Sequence, residues 1–267
     1  MLITYLGDPW FRSLEQYGVA LANSTVARLR ASGVTERRPV RPPEGPQFRY
    51  EAGPDLFLGR KGLGPLHIAW DTNLLIDYFD HGRALWKGES LTFHPPTEQD
   101  EQVEALEIII GLWVLRDIRF HILPLVIEDA KKVLSHERRL RRCAAWKEFC
   151  AAMSLVSVEG EWSGQTLILP DSLLERALMS VPEGYDRMLV RDSVKRRLHV
   201  FLTRDKEILS SKGALKPFGL LVTSPQDLLE DLSASGSLHC LLAPQYLYWP
   251  LPDQQRVAHL VRALGDR

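Results

Sequence analysis

The chain has 267 residues, 45% of them hydrophobic, and a mean hydropathy of -0.14; this is ordinary globular composition, with length enough for a sizeable core. Its 33 Lys and Arg against 34 Asp and Glu leave a net charge of -1, which argues against an extended nucleic-acid footprint but not against a local one. The three cysteines, Cys143, Cys150 and Cys240, form no CxxC pair, which argues against a disulfide framework or a structural zinc site and suits a reducing compartment.

The opening MLITYLGDPWF has no positive segment followed by an apolar one, so no signal peptide is read and a cytoplasmic protein is expected. Over residues 9–33, Leu14, Val19, Leu21, Val26 and Leu29 recur at roughly helical spacing, with Gly33 as a stop. Residues 34–65 mix Pro39, Pro42, Pro43, Pro46, Pro54 and Pro65 with five glycines, a composition that predicts a linker or extended arm. Leu66 to Trp70 is a short apolar run ending on Asp71-Thr72-Asn73, as a buried strand would be. Leu74 to Phe79 continues as a helix or turn, and residues 80–100 read as a polar loop.

Residues 101–118 place Val103, Leu106, Ile110, Trp113 and Val114 on one helical face. The most apolar part, Ala105 to Leu115, is far short of the ~20 residues a membrane span needs, so no membrane association is expected. His121 to Leu123 makes a short strand. A helix from Leu125 carries Glu128 and Asp129 and is expected to run through the basic tract Arg138 to Arg142 as far as about Met153. Leu155 to Val158 is a candidate strand, residues 171–180 a helix capped by Asp171, and Asp186 to Arg197 another helix. His199 to Thr203 is a strand ending on Arg204-Asp205, and Leu220 to Thr223 a further strand before a helix from Gln226 to about Leu232. Residues 233–267 add a loop and a helix near Gln254 to Leu264.

Strands that alternate with helices predict an α/β protein with a largely parallel sheet covered on both faces. In such a sheet the C-terminal edges of the strands line one crevice. Asp71, Glu128 and Asp205 would converge there, and Asp186 opens the helix leading into the strand before Asp205. Four carboxylates in one crevice repel each other, and a hard divalent cation, Mg²⁺ or Mn²⁺, is the usual compensation. Clustered acids without a His or Cys ligand set point to phosphodiester hydrolysis over zinc chemistry.

These segments resemble the motifs of PIN-domain nucleases. Ile68-Ala69-Trp70-Asp71-Thr72-Asn73 is similar to the first motif, and Leu123 to Glu128 to the second. Asp186 with its helix, then Val200-Phe201-Leu202-Thr203-Arg204-Asp205, is similar to the third and fourth, and Val222 to Leu229 to the closing strand and helix. The resemblance covers about residues 66–232, leaving 1–33 as a helical segment, 34–65 as linker or arm and 233–267 as an extension. It implies a three-layer α/β/α sandwich with a mostly parallel sheet, and Mg²⁺- or Mn²⁺-dependent cleavage of single-stranded or structured RNA. DNA is a further substrate of the family, and many members are toxins of toxin–antitoxin pairs. By motif match, Asp71, Glu128, Asp186 and Asp205 would hold the metal, with Asn73 and Thr203 supporting them. A protein antitoxin or regulator and a homodimer are partners that the resemblance brings with it.

The match has departures. Asp129 competes with Glu128 and Asp192 with Asp186, residues 80–100 look like an insertion, and Met188, Val190 and Arg191 replace expected small residues. Arg187, Arg191, Lys195, Arg196 and Arg204 are the candidates for phosphate contact. The tract at 138–142 reads first as a solvated helix face. His136-Glu137 begins like a zinc-protease HExxH, but position 140 is Leu. A dehalogenase-type phosphatase would need an acid where Asn73 stands. The competing expectation is a non-catalytic PIN-like module that binds RNA or a protein.

Overall fold

A computed structural model describes residues 47–86, 98–130 and 171–238, together with 132, 135–140 and 142. The expected helices at 9–33 and 254–264, and the candidate strand at 155–158, lie outside the described residues.

Four short strands form an all-parallel sheet. They are β3 (Leu66–Trp70), β4 (Ile118–His121), β5 (Val200–Leu202) and β6 (Leu221–Thr223), in the order β4-β3-β5-β6. Every residue of β3, β5 and β6 is buried, which is why these segments read as unbroken apolar runs. In β4, Ile118 and Phe120 are buried while Arg119 and His121 are half-buried. The chain leaves β3 on one side to make β4, then returns past it to make β5 and β6. The strand order therefore reverses between β3 and β5, and the crevice at their C-terminal ends is where open parallel sheets bind ligands.

The helices are α1 (Pro54–Phe57), α2 (Thr72–Trp86), α3 (Glu98–Leu115), α4 (Pro124–Ala130), α5 (Asp171–Leu178), α6 (Tyr185–Lys195), α7 (Lys206–Leu209), α8 (Lys212–Leu215) and α9 (Pro225–Ala234). Their starts follow local chemistry. Glu98, Asp100 and Glu101 complement the dipole of α3. Pro124 begins α4, and Ser224 caps α9 by accepting from the Asp227 N–H. Helix α3 packs on α9, α2 on α4, α4 on α6, and α5 on both α6 and α8. Trp70, Phe201, Ile68 and Leu66 lie at the centre of the core. No helix among the described residues is long and apolar enough to cross a membrane.

The described part of 34–65 is not a linker. Phe48–Arg49 (β1) pairs antiparallel with Leu63–Gly64 (β2), and Phe48, Tyr50, Leu56 and Phe57 belong to the same core as the sheet. The prolines and glycines punctuate turns around four large apolar residues. Gly64 is required by packing, since a Cβ there would collide with the Tyr50 hydroxyl, which donates to the Pro65 carbonyl at 2.9 Å. The polar loop expected at 80–100 also shrinks, because α2 runs to Trp86 and α3 begins at Glu98. The long helix expected from Leu125 stops at Ala130; Lys132 and Ser135 are non-helical, and 136–140 form a new turn. The Ser135 hydroxyl accepts the Arg138 N–H at 3.3 Å, as the cap of a separate helical segment does.

One sheet face carries three histidines. His67 donates its backbone N–H to His199 Nδ1 at 2.9 Å, and its own Nδ1 lies 2.7 Å from His121 Nε2. The rings of Tyr50 and Phe57 pack against His199. Burial lowers His67 to about 3 and His121 to about 4, so both rings are neutral near pH 7 and serve as core.

Candidate active site

Asp71 immediately follows β3, and its backbone N–H continues the ladder to the Leu202 carbonyl at 3.0 Å. Thr203 immediately follows β5 and donates its own N–H to the Thr223 carbonyl at 3.1 Å. The two residues therefore face each other across the point where the strand order reverses. Asp71 Oδ1 accepts the Thr72 N–H at 2.6 Å, and Oδ2 accepts the Thr203 hydroxyl at 2.6 Å. The same hydroxyl oxygen accepts the Asp205 N–H at 3.0 Å. Asp205 in turn caps α7, its Oδ1 accepting from the Glu207 and Ile208 N–H groups. A continuous chain of hydrogen bonds thus runs from Asp71 through Thr203 to Asp205, and the cap leaves Asp205 Oδ2 available.

Asp71 is only 4% exposed. Burial is the main reason its carboxyl is raised from 3.8 to about 6; the bonds from Thr203 and Thr72 oppose the rise, and the charges of Asp186 and Asp205 add to it. Asp186, in the first turn of α6, is also raised, first by burial and then by Asp205, Asp129 and Glu207. The structure therefore brings Asp71, Asp186 and Asp205 into one electrostatic neighbourhood. From α4, the carboxylate whose charge bears on Asp186 is Asp129, half-buried and 2.9 Å from Lys132. Glu128, one residue and about 100° away around the helix, is exposed.

The remaining candidates divide clearly. Asn73 is half-buried, and its Oδ1 is shut off from solvent with no hydrogen-bond partner. Asp192 pairs with Arg196 one turn along α6 at 3.0 Å. Arg191 pairs with Glu175 at 2.6 Å, and Arg187 donates to the Val181 carbonyl. Arg204 forms an ion pair with buried Asp77, with Nε 2.8 Å from Oδ2 and Nη2 donating to Oδ1 at 2.9 Å. Each of these four arginines has a protein partner, Arg196 while still exposed, and Lys195, at the end of α6, is exposed.

Two features of the site lie outside the motif match. The Asp77–Arg204 pair joins α2, which begins beside Asp71, to the loop that carries Thr203 and Asp205. Its signal in the sequence is a carboxylate among the buried Leu74, Leu75 and Tyr78, since such a group is almost always paired. Glu207, a second acid in the first turn of α7, adds its charge at Asp186.

The donor chemistry suits Mg²⁺ or Mn²⁺. Asp71, Asp186 and Asp205 offer only oxygen, and none pairs with a basic side chain among the described residues. Among the same residues, no three His, Cys, Asp or Glu side chains are drawn together tightly enough to hold an ion as they stand.

Thr203→Val removes the central link of the chain while keeping the shape. The Asp71 carboxyl is expected to titrate still higher, because it loses a bond that holds it down. Leaving the Asp205 N–H and Asp71 Oδ2 unsatisfied should cost about 1–3 kcal/mol of stability. Carboxyl-carbon NMR titration and urea unfolding measure both effects, and an unmoved Asp71 titration would show that the hydroxyl does not engage it.

No protein family, curated protein or solved structure matches the chain. Its function must therefore be argued from the residues of the site.

Proposed function

We propose that this protein is a PIN-like, metal-dependent nuclease that hydrolyses phosphodiester bonds, with RNA as its substrate, on an α/β/α sandwich. The observation that carries the reading is the Asp71–Thr203–Asp205 hydrogen-bond chain across the strand-order reversal, with the charge of Asp186 turned on Asp71.

Asp71, Asp186 and Asp205 would hold the cation, with Asp129 or Glu128 supplying a donor from α4; the electrostatic contact with Asp186 favours Asp129. A bound Mg²⁺ or Mn²⁺ would supply Lewis acidity and make a bound water more acidic than bulk water. Thr203 fixes the orientation of Asp71 Oδ2, and the α7 cap fixes Asp205 Oδ1, so both carboxylates are positioned before any substrate arrives. Hydrolysis by water would break the P–O3′ bond and leave a 5′-phosphate and a 3′-hydroxyl.

The alternative is a non-catalytic PIN-like module. It is favoured by one observation: Arg187 and Arg204, two of the expected phosphate contacts, are held in part-buried bonds within the protein.

The deciding experiment offers single-stranded RNA and DNA to the full chain with Mn²⁺, with Mg²⁺ and with chelator, beside Asp205→Asn. Cutting that needs metal and is lost in the variant is the expected result. Intact oligonucleotides under every condition, with the protein folded, would overturn hydrolysis and leave the binding module.

A further inference from the structure

We propose that Tyr185 and Lys132 form a landing for single-stranded nucleic acid at the mouth of the acidic site, the tyrosine ring stacking on a base and the ammonium taking the neighbouring phosphate. This rests on the nuclease reading and adds to it the residues that would take hold of a single strand.

Tyr185 is the first residue of α6 and directly precedes Asp186. Its position beside the carboxylates is therefore fixed by the backbone. It is 49% exposed, and Met188, one turn further along α6, is exposed as well. Aromatic and thioether side chains left in water beside a charged crevice suggest a binding surface. Helix geometry alone asks for none of them.

The Lys132 ammonium sits 4.5 Å from the centre of the Tyr185 ring and 2.9 Å from Asp129 Oδ1. Ring and carboxylate hold it between them. An ammonium has three donors, and the Lys132 side chain is still 59% exposed, so it can turn a donor to a phosphate. Arg187 and Arg204 are less exposed and are held by the Val181 carbonyl and by buried Asp77. A charged group over an aromatic ring next to a metal-type acid cluster has the composition of a sequence-tolerant single-strand site, which combines base stacking with backbone charge. A duplex hides its base faces within the stack and would gain only the phosphate contact.

The test is fluorescence anisotropy of a labelled short oligouridine with the full chain in chelator, where metal-dependent cutting is silent. Wild type is compared with Tyr185→Ala, Tyr185→Trp and Lys132→Ala, and with a labelled duplex and an oligothymidine as competing ligands. Tyr185→Ala is expected to weaken single-strand binding about ten-fold, with Tyr185→Trp restoring it. Lys132→Ala should reduce the slope of log affinity against log salt by about one. Wild type should bind the duplex more weakly than either single strand. Equal affinity of wild type and Tyr185→Ala for oligouridine overturns the landing, and leaves the nuclease reading in place if the wild type cuts RNA when metal is added. A wild type that neither binds nor cuts overturns both.

Discussion

In metal-free buffer near pH 8, Asp71→Asn is expected to unfold at a higher temperature than the wild type, and to lose metal-dependent cleavage by about a hundred-fold or more. Asp71 binds its proton more tightly when folded, at about 6, than at the ordinary 3.8. The stability this group favours is therefore fully present below about pH 4, falls as pH rises through about 4 to 6, and stays low above that. The rise from 3.8 to about 6 corresponds to a cost on the order of 3 kcal/mol for keeping the carboxylate charged in the fold. Asparagine removes the charge, still accepts the Thr72 N–H, and turns its amide towards the Thr203 hydroxyl. Calorimetry across pH should show wild type and variant converging in acid, separating as pH rises through about 4 to 6, and staying apart above that. Mn²⁺ should raise the wild-type midpoint by binding the folded state, and should leave the variant almost unmoved. A variant that is no more stable, cuts as well, and responds equally to Mn²⁺ would remove Asp71 from the site.

Arg204→Leu is expected to cost about 3–5 kcal/mol, the scale of leaving one member of a buried ion pair without its partner. Asp77 is 4% exposed, and burial already raises it to about 6 with Arg204 pulling the other way. Without the guanidinium, the carboxyl should rise further and take up its proton nearer neutral pH. The variant should therefore recover part of its stability as pH falls, and lose it as pH rises through the new value. The double variant Asp77→Leu with Arg204→Leu removes both charges and should recover much of the loss, so the two substitutions should not add. Urea unfolding of the three variants measures this. A single variant within about 1 kcal/mol of wild type would mean that the pair does not hold α2 to the 203–205 loop.

Three strands of the sheet are legible in the sequence because they are buried on both faces, whereas β4, with Arg119 and His121 half-buried, lies at Ile118–His121 and not at the expected His121 to Leu123. Leu66 to Trp70 and Val200 to Leu202 are apolar or nearly so throughout, and each ends on a polar residue at the edge where side chains re-emerge. The structure places these strands within a residue or two of their expected positions. The folding of residues 48–64 is hidden because Pro and Gly have the same composition in a linker and in tight turns; only the four apolar residues between them distinguish the two. Glu128 and Asp129 are inseparable in sequence because neighbouring residues differ by one rotation of a helix whose roll is set by packing against α2 and α6. Arg204 reads as a phosphate contact because its partner, Asp77, lies 127 positions away, and no local pattern reports a pairing at that range.

Asp71 and Thr203 are 132 positions apart, yet share one hydrogen bond. Their strands, β3 and β5, are adjacent in the sheet. Pairings this distant in sequence close late, because the loop entropy is lost before any contact repays it. On a ribosome, a nascent chain that has not yet reached Val200 holds β3 against at most one of its two neighbours, with Asp71 lacking the hydroxyl that orients it. The acidic crevice is therefore assembled only after Asp205 and the α7 amides that it caps have left the exit tunnel. For the RNA-cutting activity proposed above, that order of events protects the message being translated for as long as the chain is short of its third carboxylate.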